Sequence, residues 1–209
     1  MVEYHKIQSV YFRDPDTKHR TFLIGQWSMP EFGYLADREW ICTEKIDGTN
    51  VRVHWDGTGV EFGGRTADAQ MPTFLLNRLG QLFPRDRVAD VFPDATDVML
   101  FGEGFGAKIQ KGGGNYIADG QDFILFDVMI GGIFLERQSV EDIASKLGIR
   151  VVSVVARCSL LEAISLVQKG FNSSFGPFLS EGLVMRPAVE LRTRRGERII
   201  AKVKHRDFA

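Results

Sequence analysis

The stretch ICTEKIDGTNVRVHWDGTGVEFGG, residues 41–64, decides the fold class. In TNVRVHWD (49–56), Val51, Val53 and Trp55 share one face, and Arg52, His54 and Asp56 share the other. That period of two, rich in β-branched residues, predicts a half-buried strand. ICTEK (41–45) reads as a strand before it, and Asp56-Gly57 offers a hairpin turn into a further strand over GVEFGG (59–64). Working outward, MPTFLLNRLGQLF (71–83) carries apolar residues at helical spacing. VMLFGEGF (98–105) and DFILFDVMI (122–130) read as strands, the second apolar on both faces and therefore central in its sheet. VEDIASKL (140–147) and LLEAISLVQK (160–169) are amphipathic helices with VVSVVA (151–156) as a strand between them. SEGLVMRP (180–187) and ERIIAKVK (197–204) are two strands around a basic turn. Strands outnumber helices and hairpin connections dominate, so the chain is read as α+β with largely antiparallel sheets rather than as a doubly wound fold.

The 209 residues are 44% hydrophobic and 25% charged, enough to bury a core and unlike a disordered or fibrous chain. With 26 basic against 27 acidic side chains the formal net charge is −1, so any surface for nucleic acid must be local. Cys42 and Cys158 lie far apart without metal-ligand spacing, which supports neither a disulfide framework nor a zinc site and suits reduced thiols in the cytoplasm. The N-terminus MVEYHKIQSVYFRDPD lacks the apolar run of a signal peptide or membrane span. With no Pro/Ser linker, low-complexity tract or internal repeat, residues 1–209 are read as a single domain.

TEKIDGTN (43–50) is the segment richest in chemistry, because Lys45 stands between two acids, after a strand and before a glycine turn. An amine attacks an electrophile only when neutral, and burial or neighbouring positive charge favours that form. The plain alternative is a solvated lysine paired with Glu44 or Asp47. Lys202 and Lys204 alternate with Ala201 and Val203, so the two ammoniums face one spot, which suits a triphosphate or a wet surface. From Arg186 to the C-terminus, eight Lys or Arg oppose three acids, a local excess that supports a phosphate-rich partner. Glu103 in LFGEGFG and Glu181 in SEGLVM are carboxylates beside glycine within apolar strands, and need a metal, a hydroxyl or a lysine as partner. Asp127 in FILFDV lies in an apolar run, and its neighbour Phe126 offers either a stacking face for a base or a core ring. Gly112-Gly113-Gly114 has no Walker-type continuation and reads as a mobile loop.

In their order, TEKIDGTN, FGGRT, LFGEGFG, FILFDV, SEGLV and AKVK resemble the motifs of the covalent nucleotidyltransferase superfamily of DNA ligases, RNA ligases and mRNA capping enzymes. The ATP-dependent RNA ligase 2 family is the best match, because Thr49-Asn50 follows the glycine where DNA ligases usually carry an arginine, and FGEGFGAKIQKG looks like the RNA ligase version of the central motif. The resemblance runs from Tyr4 to Lys204. It implies an ATP-grasp-like adenylation domain with antiparallel sheets flanked by helices. It also implies that Lys45 attacks the α-phosphorus of ATP to form lysyl-AMP, with AMP then passed to an RNA 5′-phosphate and displaced by a 3′-hydroxyl.

On the same resemblance Glu44, Ile46 and Asn50 hold the nucleotide, Arg65 and Glu103 contact the ribose side, and Phe126 stacks on adenine. Lys202 and Lys204 neutralise phosphate, while Glu181 with Asp127 organises Mg2+ or Mn2+. Tyr4, Gln110 and Arg186 fall where the family contacts RNA ends or nucleotide. RNA, as nicked duplex or RNA/DNA hybrid, is the implied partner of a monomeric enzyme working without a membrane. The chain departs from the family in Arg186, where lysine is common, and in Thr43, where some relatives are basic. It also ends shortly after Lys204, where the best-known members continue into a further C-terminal domain; no OB or helical domain follows within 209 residues. The rivals are a minimal DNA ligase core, a capping guanylyltransferase, and a non-catalytic RNA-binding module on the ligase fold.

Overall fold

A computed structural model describes residues 1–66 and 69–208. In chain order the first strands are β1 (Gln8–Ser9), β2 (Tyr11–Arg13) and β3 (Phe22–Trp27), then the short helix α1 (Pro30–Tyr34) and β4 (Trp40–Glu44). Next come β5 (Thr49–Trp55), β6 (Val60–Gly63), α2 (Thr73–Leu82), α3 (Arg85–Val91), β7 (Val98–Gly106) and α4 (Gly113–Tyr116). They are followed by β8 (Gln121–Ile130), β9 (Ile133–Phe134), α5 (Arg137–Leu147) and β10 (Arg150–Val151). The last elements are β11 (Val154–Cys158), α6 (Leu160–Lys169), β12 (Gly182–Pro187) and β13 (Ala201–Lys204).

These elements form two compact units: Met1–His5 with Asp47–Val152, and Lys6–Ile46 with Ser153–Ala209. The first unit holds the sheet β10-β8-β7-β5-β6, with β9 added to β8. Val51, Val53 and Trp55 of β5 are buried as their alternation predicts, packed with Leu75, Leu79 and Leu82 of α2 and Val140, Ile143, Ala144 and Leu147 of α5. The helical spacing of those apolar residues turns one stripe of each helix onto the sheet, and α5 stops at Gly148, whose φ of 68° is left-handed. The apolar β8 is flanked by β10 and β7, in the central place its composition predicts.

The second unit holds the sheet β1-β13-β12-β4-β11 and the β2–β3 ribbon. Trp40, Cys42, Leu183, Met185, Ala201 and Val203 cover one face of its sheet and pack with Leu160, Ala163, Ile164 and Val167 of α6. A capping box starts α6: the Ser159 hydroxyl accepts from the Glu162 amide at 3.2 Å while the Glu162 carboxylate accepts from the Ser159 amide at 2.9 Å. No helix among the described residues is long and apolar enough to cross a membrane.

Four features differ from the sequence expectation. VVSVVA is not one strand: Arg150–Val151 pairs parallel with β8, and Val154–Cys158 pairs antiparallel with β4 in the other unit. Its apolar run reports burial, and burial is indifferent to which sheet supplies it. Gly113 and Gly114 open the helical turn α4 instead of a loop, and Gly113 approaches Gly106 so closely that a Cβ there would sit 1.9 Å from its carbonyl oxygen. Arg52, placed on the polar face of β5, is 2% exposed. The ladder of ERIIAKVK is confined to Ala201–Lys204, with an isolated Arg192–Arg198 bridge before it. Among the described residues the ladders are antiparallel apart from two parallel pairs, β1 with β13 and β10 with β8.

Candidate active site

In the second unit, β4 delivers Lys45 at its end, and the Lys45 amide donates to the Gly182 carbonyl at 2.9 Å, pinning the lysine backbone to β12. Gly182 is required there, because a Cβ would lie 2.0 Å from the Val203 carbonyl oxygen of β13. That close approach sets Glu181 beside both strands. Lys45 Nζ is 2.6 Å from Glu181 Oε2, and Lys204 Nζ is 2.7 Å from Glu181 Oε1. Burial would push the Glu181 carboxyl up, but the two ammoniums outweigh it and hold the group below the usual carboxylate range. One ionised carboxylate thus gathers two amines at one point.

The end of β13 is itself anchored. Asp207, 2% exposed, accepts from the Lys204 amide at 3.2 Å and from the Arg13 guanidinium at 2.9 Å. Lys202 lies on the same face as Lys204, while Ala201 and Val203 point into the core. Glu44 is buried, and its Oε2 accepts both the amide and the hydroxyl of Ser174, at 2.9 and 2.6 Å. Its Oε1 is buried with no hydrogen-bond partner among the described residues, an acceptor open to a ligand's donor. Ser174 was not singled out in the sequence, where a serine in FNSSFG carries no signal of its own. Ile46 is buried, and its carbonyl lies 3.5 Å from Lys45 Nζ. Arg186 sits on β12 opposite Ile41, and is half-buried.

In the first unit, Asn50 and Glu103 stand directly opposite each other on β5 and β7. They lie on the face away from the Val51–Val53–Trp55 core, and Asn50 Oδ1 is buried with no hydrogen-bond partner among the described residues. β8 carries a bulge here: Phe101 pairs with Asp127 and Gly102 with Leu125, leaving Phe126 as the extra residue. A bulge re-aims a side chain, and the Phe126 ring meets Tyr4 edge-on at 5.1 Å while the Tyr4 hydroxyl donates to Asp127 Oδ2 at 2.9 Å. Tyr4 also packs on Phe101 at 4.9 Å, so three of the residues singled out in the sequence, Tyr4, Phe126 and Asp127, form one cluster.

Gln110 donates to the Gly48 carbonyl at 3.1 Å, and the Tyr116 hydroxyl accepts from the Asp47 amide at 3.1 Å, so both residues hold the turn after Lys45 and Ile46. Arg65 is exposed just beyond β6. The buried Arg52 donates to the carbonyls of Gly64 at 2.6 Å and Val2 at 3.0 Å, tying the Arg65-bearing segment and the N-terminus to β5. Sequence reasoning missed Arg52, because alternation assigned it to the solvent face. Among the described residues no three His, Cys, Asp or Glu side chains gather as a metal cage. Single carboxylates of this kind fit Mg2+ or Mn2+ arriving with a triphosphate, since such ions keep waters and take one or two carboxylates plus substrate phosphates.

The fold is the nucleotidyltransferase fold of RNA ligases, as the sequence motifs imply. The RNA ligase family model matches residues 38–204, most of the chain, and the protein belongs to that family. No curated protein matches it in sequence. Among solved structures it is similar to a Naegleria gruberi RNA ligase variant with ATP and Mn, with a TM-score of 0.68 at 16% identity over 97% of this chain and 56% of that one. A second variant of that ligase with AMP and Mn gives 0.65 at 16% identity, covering 97% and 57%. The same ligase with PPi gives 0.65 at 18% identity, again covering 97% and 57%. The chain therefore spans a little over half the length of the ligases it matches.

Proposed function

We propose that the protein is an ATP-dependent RNA ligase working through a lysyl-AMP intermediate on Lys45. The observation that carries this is the Glu181 carboxylate holding Lys45 and Lys204 together at 2.6 and 2.7 Å, within a chain of the RNA ligase family. The Lys45 amine, having given its proton to solvent, attacks the α-phosphorus of ATP. The P–N bond forms as the bond to pyrophosphate breaks, and Lys204 and Lys202 supply positive charge where the leaving group gains negative charge. AMP then passes from Lys45 to an RNA 5′-phosphate, and a 3′-hydroxyl displaces it to close the phosphodiester.

Glu44, Ile46 and Asn50 are assigned to hold the nucleotide, the buried Glu44 Oε1 and Asn50 Oδ1 being acceptors suited to its amino or hydroxyl groups. Arg65 and Glu103 are assigned to the ribose side and Phe126 to the base. Glu181 and Asp127 are assigned to hold Mg2+ or Mn2+, which would supply charge neutralisation at the phosphates. Tyr4, Gln110 and Arg186 are assigned to RNA ends. The same proposal takes residues 1–209 as one adenylation domain, a cytoplasmic monomer acting on nicked duplex or RNA/DNA hybrid.

Incubation with magnesium and ATP labelled at the α-phosphate, then denaturing electrophoresis, tests the first step. The expected result is a covalent label from ATP and not GTP, abolished in Lys45→Ala. A folded protein that takes no label from either nucleotide would leave the non-catalytic RNA-binding module as the better description.

A further inference from the structure

On the second unit's sheet, the face away from the α6 core carries a row of paired positions that runs across three strands: Arg186 of β12 and Arg157 of β11 both pair with Ile41 of β4. Directly paired residues share a face, and strands two apart are separated by about 10 Å, so the two arginines flank Ile41 on one side of the sheet. The chain leaves β12 at this end, next to Trp40, and makes a hairpin before returning as β13. Arg194 and Arg195 are the hairpin's tip. The hairpin is ordered by its own bonds: the Thr193 amide donates to the Glu197 carbonyl at 2.8 Å, and Thr193 Oγ1 accepts from the amides of Arg195 and Glu197 at 3.2 and 3.3 Å. Gly196, with φ at 83°, closes the turn.

The charge at this end is not balanced. Glu190 pairs with Arg198 through both oxygens, and it also lies in the field of Arg186 and Arg192. Exposed Glu39 and Glu197 also lie at these strand ends, and the charge of exposed Glu162 reaches Cys158 beside Arg157, so Arg157, Arg186, Arg192, Arg194, Arg195 and Arg198 still outnumber the acids. Arg157, Arg194 and Arg195 are exposed, and they make no ion pair among the described residues. Arg157 lies outside the basic C-terminal run visible in the sequence; only the β4–β11 register brings it alongside Arg186.

We propose that Arg157, together with the Arg194–Arg195 tip, forms a docking surface for the phosphate backbone of the RNA strand, distinct from the residues assigned to ATP. This rests on the ligase assignment above and extends it to a surface that contacts RNA without reading its sequence. Arginine presents a planar fork matched to phosphate, and the hairpin's own hydrogen bonds fix the backbone that carries Arg194 and Arg195. Contacts of this class release counterions and appear as a salt slope.

The test is fluorescence anisotropy of a 5′-phosphorylated, single-stranded RNA of about 20 nucleotides across a KCl series, with wild type and R157A/R194A/R195A. Removing three phosphate contacts is expected to reduce the slope of log K against log[KCl] by about 0.7 per charge. At fixed salt, affinity is expected to fall tenfold or more, with ATP-dependent labelling of Lys45 retained. A control variant, K18A/R20A/K169A, removes three charges elsewhere on the same unit and is expected to keep most of the slope. Unchanged binding in the first variant, or an equal loss in the control, overturns the proposal. R157A alone, read the same way, serves if the triple variant does not fold. Absence of label from ATP in the wild type is a failure of the ligase assignment, and the anisotropy series detects the surface independently of it.

Discussion

Lys45 Nζ lies 2.6 Å from Glu181 Oε2, and the other oxygen of the same carboxylate holds Lys204. Removing the carboxylate leaves two ammoniums facing each other at side chains that are 20% and 15% exposed. Glu181→Gln should therefore cost about 3 kcal/mol of stability, the lower end of the range for breaking a buried ion pair being favoured by the residual exposure. Urea denaturation at neutral pH measures it. Because the folded Glu181 titrates below its ordinary 4.5, its contribution is complete above that value and is lost as pH falls through the folded one. Wild type should lose stability more steeply than E181Q on acidification below about pH 4.5, and parallel curves would contradict this linkage.

The Tyr4 hydroxyl reaches Asp127 across 123 positions of chain. Tyr4→Phe keeps the ring contacts to Phe101 and Phe126 and removes only the donor, so a loss of roughly 1 kcal/mol is expected. Tyr4→Ala removes the ring as well and should cost about 3 kcal/mol. Thermal unfolding of the pair separates the hydrogen bond from the packing; equal losses would mean that the ring carries nothing.

Gly48 closes the turn of TEKIDGTN, and a Cβ there would meet the Gly104 carbonyl oxygen at 2.3 Å and Glu103 Cγ at 2.7 Å. Since one obstacle is backbone, Gly48→Ala should destabilise by more than about 2 kcal/mol and disturb the pairing of Asn50 with Glu103. Gly114, whose Cβ would have open space, provides the comparison: Gly114→Ala should fold as wild type in the same denaturation experiment.

The two cysteines, distant in sequence, come within 3.9 Å of each other across β4 and β11, and both thiols are free. Burial pushes the Cys42 thiol well above its usual range, and burial also raises that of Cys158. Thiolate is the reactive form. Iodoacetamide at pH 7.5 should modify the half-buried Cys158 slowly and the buried Cys42 more slowly still, with both reacting promptly in urea. Mass spectrometry reads the order, and rapid modification of native Cys42 would contradict it.

Local pattern carried the elements whose information is local. The alternation of Val51, Val53 and Trp55 and the spacing of Leu75 and Leu79 are each legible within a few residues, and each is realised. Partners are another matter. Nothing in VVSVVA says that its two halves join different sheets, nor does RVHW say that Arg52 turns inward to bind the carbonyls of Gly64 and Val2. Glu181 and Lys45 were visible as chemistry-bearing residues. Their bond depends on the close passage of β13 over Gly182, a long-range feature that a single sequence does not encode in any window. Ser174 and Arg157 escaped for the same reason, since their importance comes entirely from what lies beside them.

The parallel pairing of Gln8 with Ala201 and of Ser9 with Lys202 sets a schedule for synthesis. Met1–His5 and Asp47–Val152 contain every strand of their sheet before Ser153 has been made, so that unit can close while the other is still being synthesised. The other unit cannot. Its sheet lacks an interior neighbour for β1 until Ala201–Lys204 emerges, and β4, translated early, waits for both β11 and β12. Lys45 therefore acquires its partners only once Lys204 has been made, so a chain released before that point has no assembled Lys45–Glu181–Lys204 cluster with which to begin the chemistry.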